Sequence, residues 1–200
     1  MLKNYLLTPG PTPIPPRVLE TMARPIIHHR TPEFQKVIQE VEEDLKYVYQ
    51  TKNEVLIFAA SGTGAMEGSI ANLLSPGDKA LVVRGGKFGE RFGDICKAYG
   101  IEFTAIDVEW GKAVDPKTID EILKKDKKIK AVYATLCETS TGVSTDIEAV
   151  SKIVKNYEAV LVVDAISGLA AIPIKTDEWG VDVVVSGSQK GLMIPPGLAF

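Results

Sequence analysis

Residues 160–190 read VLVVDAISGLAAIPIKTDEWGVDVVVSGSQK. Two short apolar runs stand out, Val160-Leu161-Val162-Val163 and Val183-Val184-Val185, and each leads directly into polar groups. Asp164 follows the first run, and Ser186-Gly187-Ser188-Gln189-Lys190 follows the second. Valine and leucine in unbroken runs mark strands buried on both faces, as in parallel sheets. In such sheets the loops beyond the carboxyl ends of the strands converge on a ligand crevice. The stretch therefore sets the fold class as α/β and says where chemistry is to be sought.

The same alternation extends toward the N-terminus. Strands are predicted at 55–60, 80–84, 103–108 and 131–137, in addition to 160–164 and 181–186. Helices are predicted between them at about 64–74, 88–99, 116–125 and 146–157, giving a mostly parallel sheet with helices on both faces. Asp115-Pro116 and Thr145-Asp146 supply helix starts. Further upstream, Thr31-Pro32 offers an N-cap and a first-turn proline. Phe34, Val37, Ile38, Val41, Leu45 and Val48 follow at helical spacing, predicting a helix of about five turns. Residues 8–16 hold too many prolines for a helix or a central strand. The chain thus reads as an extended arm over 1–20 and one large domain over 21–200, incomplete at its C-terminal end. After Pro195-Pro196-Gly197, Leu198-Ala199-Phe200 reads as the beginning of another apolar strand.

Composition narrows the function classes. The 200 residues are 45% hydrophobic, enough for a substantial core, and the formal net charge is -3. Lys and Arg are interspersed with Asp and Glu, so a nucleic-acid or membrane partner is not expected. No apolar run reaches transmembrane length, and Pro9 and Pro11 interrupt the opening Met1-Leu2-Lys3-Asn4-Tyr5-Leu6-Leu7, so the expected location is the cytoplasm. Cys96 and Cys137 lack both the spacing and the companion residues of a metal or disulfide framework, and no metal site is expected.

Three features at the predicted strand ends carry chemistry. Ser61-Gly62-Thr63 lies where a strand turns into a helix, and free amides with hydroxyls at a helix start suit an anion such as phosphate. Taken alone, it reads first as a tight turn that needs glycine. Lys190 follows an apolar strand, where partial desolvation would free its amine to attack a carbonyl; alone, it reads first as a solvated surface charge. Asp164 is held at the end of a buried strand, where a carboxylate needs a partner, and a protonated pyridine nitrogen or a helix cap would serve.

Together, and in this order, these residues resemble the fold-type I pyridoxal-phosphate enzymes. Within that group they resemble the class V aminotransferases of the alanine-glyoxylate and serine-pyruvate kind. The matching motifs are Leu7-Thr8-Pro9-Gly10-Pro11-Thr12, Ser61-Gly62-Thr63, Gly86-Lys87-Phe88-Gly89-Glu90-Arg91, Glu138-Thr139-Ser140-Thr141-Gly142-Val143, Val163-Asp164-Ala165 and Ser186-Gly187-Ser188-Gln189-Lys190. The resemblance implies a cofactor, pyridoxal 5'-phosphate, held on Lys190 as a Schiff base, with Lys190 also shuttling a proton. It implies that Asp164 keeps the pyridine nitrogen protonated. Ser61, Gly62 and Thr63 would bind the phosphate with help from Gln189. Phe88 would stack on the ring where many relatives have tryptophan, and Thr139 would meet the ring's phenolic oxygen where relatives often have serine.

The implied reaction is transamination between a small amino acid of the alanine or serine type and a 2-oxo acid, glyoxylate or pyruvate, in a homodimer. The family's smaller C-terminal domain, which carries the arginine for the substrate carboxylate, is absent from these residues. A cysteine desulfurase-like lyase shares the fold, but places histidine where Gln189 and Phe88 stand here. An NADP-dependent oxidoreductase would account for Gly62, Gly64 and Gly68 with Arg84, though not for Asp164 and Lys190. A noncatalytic binding module is the remaining alternative.

Overall fold

Side-chain alternation along the strands decides the layering of the computed structural model, which describes residues 5–200. Strands β1 (Lys79–Arg84), β2 (Glu102–Asp107), β3 (Ile129–Thr135), β6 (Val160–Asp164) and β7 (Val183–Val185) form one parallel sheet in the order β2-β1-β3-β6-β7. Successive residues of a strand face opposite ways. Ala80, Val82, Ala131, Tyr133 and Val162 accordingly share a core with α3 (Gly62–Leu73) and α4 (Lys87–Ala98). Leu81, Val83, Val132, Ala134, Leu161 and Val163 share the opposite core with α5 (Pro116–Lys125) and α6 (Ile147–Val154). Both faces are covered, as the continuous apolar runs predict. A two-stranded antiparallel ribbon, β4 (Cys137–Glu138) and β5 (Val143–Ser144), projects from the end of β3, and the short α7 (Thr176–Trp179) precedes β7.

The predicted helix starts are present. Thr31 Oγ1 accepts the Phe34 N–H of α2 (Pro32–Tyr49) at 3.3 Å, Asp115 accepts Lys117 N–H at 3.0 Å, and Asp146 accepts Ala149 N–H at 2.9 Å. Each such cap contributes about 1 kcal/mol. α6 stops at Val154 instead of continuing to 157, because Asn156 and Tyr157 turn their amides back three residues, to Ile153 and Val154.

Two expectations are corrected. Pro16 opens a helix, α1 (Pro16–Met22), inside the segment predicted to be extended. Proline is tolerated in a first helical turn, where its missing N–H has no partner to lose. The opening residues Met1 to Asn4 lie outside the described residues.

Residues 55–60 form no strand. Phe58 makes one antiparallel bridge, to Ala199, with N–H···O distances of 2.8 and 3.0 Å. Ala199 also bridges Gly187, so the main-chain link from Phe58 to the strand that carries β7 runs through Ala199. A cavity of about 460 Å³ otherwise separates Val55, Leu56 and Phe58 from β7, and Leu56 is 64% exposed. A ladder needs consecutive partners, and Ala199 supplies one.

Candidate active site

Strand order places the site. From β1 the chain moves outward to β2, then returns past β1 to β3, β6 and β7, so the direction of winding reverses between β1 and β3. Crevices at such reversals, beyond the carboxyl ends, are where open α/β sheets bind ligands. The register aligns Thr135 of β3 with Asp164 of β6 and Asp164 with Val185 of β7, so the loops after these strands leave at one level.

Asp164 is 2% exposed, and its Oδ1 accepts the Ile166 N–H at 2.8 Å. Burial pushes its carboxyl up to about 7 and the nearby Glu138 charge adds to this, while the Ile166 amide, Arg91 and Lys190 act in the opposite direction. Lys190 is half-buried, and burial lowers its amine below the ordinary lysine value, partly countered by Asp164. The two groups sense one another's charge: Asp164 counters the lowering at Lys190, and Lys190 counters the raising at Asp164.

The anion end is built by α3. Ser61 supplies no side-chain cap, so the first amides of the helix are not closed off from the crevice. Gly62 is buried beneath Ile166, whose Cδ1 would lie 2.6 Å from a Cβ added at Gly62. A Cβ on Gly187 would meet Gln189 Oε1 at 3.0 Å and Gly62 N at 3.3 Å, so three predicted elements converge there through bare glycine. Gln189 Oε1 is buried with no protein partner. The orphaned amide oxygen calls for a donor and the uncapped helix amides call for acceptors, so the spot fits a group that brings its own hydrogen-bonding atoms. Pyridoxal phosphate, with a phosphate, a basic ring nitrogen and an aldehyde, fits the residues present.

Phe88 is half-buried in the first turn of α4. The Arg91 guanidinium lies 5.0 Å from its ring centre and donates to Thr63 Oγ1 at 3.0 Å, linking the predicted ring-stacking residue to the predicted phosphate residue. Thr139 donates to Ser167 Oγ at 2.7 Å, and Ser167 donates to the Cys137 carbonyl at 2.8 Å. With its proton committed, Thr139 presents lone pairs, so it is an acceptor for a ligand hydroxyl. No direct bond joins it to Lys190 or Asp164.

Sequence reasoning assigned no role to Arg91, Glu138, Ile166 or Ser167, and none to the N-terminal arm. Thr12 pins that arm: its N–H donates to the Gln189 carbonyl at 3.0 Å and its hydroxyl to the Lys190 carbonyl at 2.9 Å. Gly10 then passes so close that an added Cβ would lie 2.4 Å from Lys190 Cδ and 2.9 Å from Nζ. Gly10→Ala is expected to displace the amine and slow cofactor attachment about 100-fold, the scale of an ångström-sized misplacement. Stopped-flow absorbance during reconstitution measures this, and an unchanged rate would show that the arm yields freely.

The dinucleotide alternative loses both supports. Gly68 faces open space, whereas that motif uses its last glycine for close helix–strand packing. Arg84 is engaged by Asp107, with Nε 2.7 Å from Oδ1. Among the described residues, no group of three or more His, Cys, Asp or Glu is placed to hold a metal ion, and no helix is long and apolar enough to cross a membrane.

Comparison with known proteins finds relatives along nearly the whole of this chain. A protein of Synechococcus sp. named as the small subunit of a soluble hydrogenase is 48% identical over 99% of this chain and 52% of its own length. An L-aspartate–glyoxylate aminotransferase of Paracoccus denitrificans is 42% identical over 99% of this chain and 51% of its own length. The crystal structure of an alanine–glyoxylate aminotransferase from Nostoc sp. superposes with a TM-score of 0.94 at 34% identity, over 100% of this chain and 53% of that one. The chain therefore spans about half the length of the relatives it matches. Residues 4–200 match the family described as aminotransferase class-V, and the chain, with its fold-type I sheet, belongs to that family.

Proposed function

We propose that this chain carries the cofactor-binding half of an aminotransferase that moves an amino group between a small amino acid of the alanine or serine type and glyoxylate or pyruvate. The observation that carries the reading is that a partly buried amine, Lys190, and a buried carboxyl, Asp164, feel each other's charge at the carboxyl end of a parallel sheet. When bound, pyridoxal phosphate supplies an electrophilic carbon for the amino group and a ring that absorbs electron density. Lys190 attaches it and afterwards holds or moves a proton at Nζ. Asp164 keeps the ring nitrogen protonated, Ser61, Gly62, Thr63 and Gln189 bind the phosphate, Phe88 covers the ring, and Thr139 accepts from the ring hydroxyl. Glyoxylate as acceptor takes support from the names of the Paracoccus and Nostoc proteins. Their donors differ, so aspartate is the donor to screen beside alanine and serine. The hydrogenase name of the Synechococcus relative belongs to that protein and draws on neither Lys190 nor Asp164.

The experiment is the visible spectrum of the full-length protein with added pyridoxal phosphate, before and after borohydride, followed by mapping of the modified peptide. A yellow band lost on reduction, with a pyridoxyl adduct on Lys190, supports the reading; a colourless protein with no adduct ends it.

We also propose a cytoplasmic homodimer, organised as an arm and a large domain. The support is apolar surface: α1 buries none of its residues, α2 buries only Leu45 and Tyr49, and Leu7 and Ile26 are 94% and 99% exposed. A second copy over this face would remove that surface from water. Light scattering should give twice the chain mass, and Leu7→Asp with Ile26→Asp should shift it toward the monomer. A monomeric wild type at micromolar concentration would overturn the proposal.

A further inference from the structure

Glu138 is a buried carboxylate that the chemistry above leaves unused. It is 4% exposed and ends the ribbon strand that follows β3. Its Oε2 accepts the N–H groups of Phe88 at 3.1 Å and Gly89 at 3.0 Å. Its Oε1 accepts Ser140 N–H at 3.2 Å and Ser140 Oγ–H at 2.7 Å, with a longer contact to Phe88 N at 3.3 Å. Ser140 Oγ in turn accepts Lys87 N–H at 3.0 Å. The first three amides of α4 are thus all satisfied from a loop about fifty residues away in sequence.

The arrangement requires an empty cap position on α4 itself. Gly86 occupies it and offers no side chain, and a Cβ there would lie 2.6 Å from Glu138 Cδ and 2.4 Å from Ser140 Oγ. A carboxylate at a helix start is favoured by the dipole, and its bonds to amides are charge-assisted. The two helices that begin beside the crevice therefore differ. α4 has its N-terminus filled by the protein's own anion, while α3 has none.

We propose that Glu138 is a positioning residue: by anchoring the first turn of α4 it fixes where Phe88 presents its ring to the cofactor, and through Phe88 it fixes Arg91 and the Thr63 hydroxyl. The inference rests on the cofactor reading above. It makes Glu138 a residue that touches neither cofactor nor substrate, yet governs the ring-covering wall and one hydroxyl of the phosphate end together. Arg91 is the link between the two, stacked on Phe88 and bonded to Thr63.

Glu138→Gln keeps the shape but turns one acceptor into an NH2 group facing N–H donors. In the full-length protein, hydrogen exchange at Phe88 and Gly89 should speed up about tenfold or more, as expected when a buried acceptor is lost. Pyridoxal phosphate should bind about tenfold more weakly. The visible circular dichroism of bound cofactor should change, and Glu138→Asp should restore part of each effect. A lowered melting temperature with unchanged exchange in that turn, unchanged affinity and unchanged dichroism would mark Glu138 as merely structural and overturn the proposal. Should Glu138→Gln fail to fold, Ser140→Ala removes only the outer support and must still loosen Lys87 and Phe88; unchanged exchange there also overturns it. The exchange readout needs no cofactor, so a wild type that binds no pyridoxal phosphate would end the cofactor reading while exchange still decides whether Glu138 holds the Phe88 turn.

Discussion

Lys190→Ala is expected to leave the full-length protein folded, colourless after desalting, free of a pyridoxyl adduct after borohydride, and at least about 1000-fold less active, within the range for loss of a positioned acid–base group. The amine is needed as the group that would attach the cofactor's aldehyde carbon and later carry a proton, and burial acts in that direction by lowering its affinity for a proton. Lys190 is half-buried, and neighbours hold it at both ends: Thr12 on its carbonyl and Gly10 along its stem. Removing the side chain leaves the Thr12 bonds intact, because they go to main-chain oxygens, so little stability should be lost. Absorbance, a transaminase assay with glyoxylate and alanine, serine or aspartate, and peptide mapping after borohydride check this together. Activity that survives in the variant, or an adduct on another lysine, would remove Lys190 from its role.

Asp164→Asn should separate function from stability in opposite directions. Activity should fall on the order of 1000-fold, because a neutral amide cannot hold the ring nitrogen protonated and a preorganised charge is lost. Without cofactor the variant should be the more stable protein at pH 8. The unfolded carboxyl releases its proton near 3.9, whereas the folded one keeps it to about 7 because the charged form is buried. Between those values the folded chain holds one more proton than the unfolded, so wild-type stability falls as pH rises through that window. Above it the full cost of a buried charge is present, on the order of 4 kcal/mol. Asparagine keeps an acceptor for Ile166 N–H and buries no charge. Thermal melts of the cofactor-free proteins should show the variant ahead at pH 8 and the two alike near pH 4. Parallel curves would mean that Asp164 is ionised with no penalty. Added pyridoxal phosphate should reverse the order at pH 8 by giving the wild-type carboxylate its partner.

Part of the site was legible from one local signal. Asp164 stood out because a charged residue directly after Val160-Leu161-Val162-Val163 has to be buried or at the edge of burial. Glu138 follows an apolar run of the same kind and carries the same signal. Nothing in its neighbourhood says that its partners are Phe88 and Gly89, because those amides belong to another helix. The arm is similar. Its prolines announce an extended path, but not that Thr12 bonds to Gln189 and Lys190. The strand predicted at 55–60 shows the limit from the other side. Its residues have the composition of a strand, but pairing is decided by what lies opposite, and Ala199 alone bridges it.

What the sequence by itself determined is therefore the class of fold, the parallel sheet with two covered faces, and the residue types at its strand ends. These follow from periodicity and capping, which act over a few neighbouring residues. Only the tertiary structure decided the strand order that reverses between β1 and β3, the approach of Gly10 to Lys190, and the capture of the start of α4 by Glu138. Those contacts join residues far apart in the chain, and a buried polar group finds its partner in space, at a distance that sequence separation does not encode.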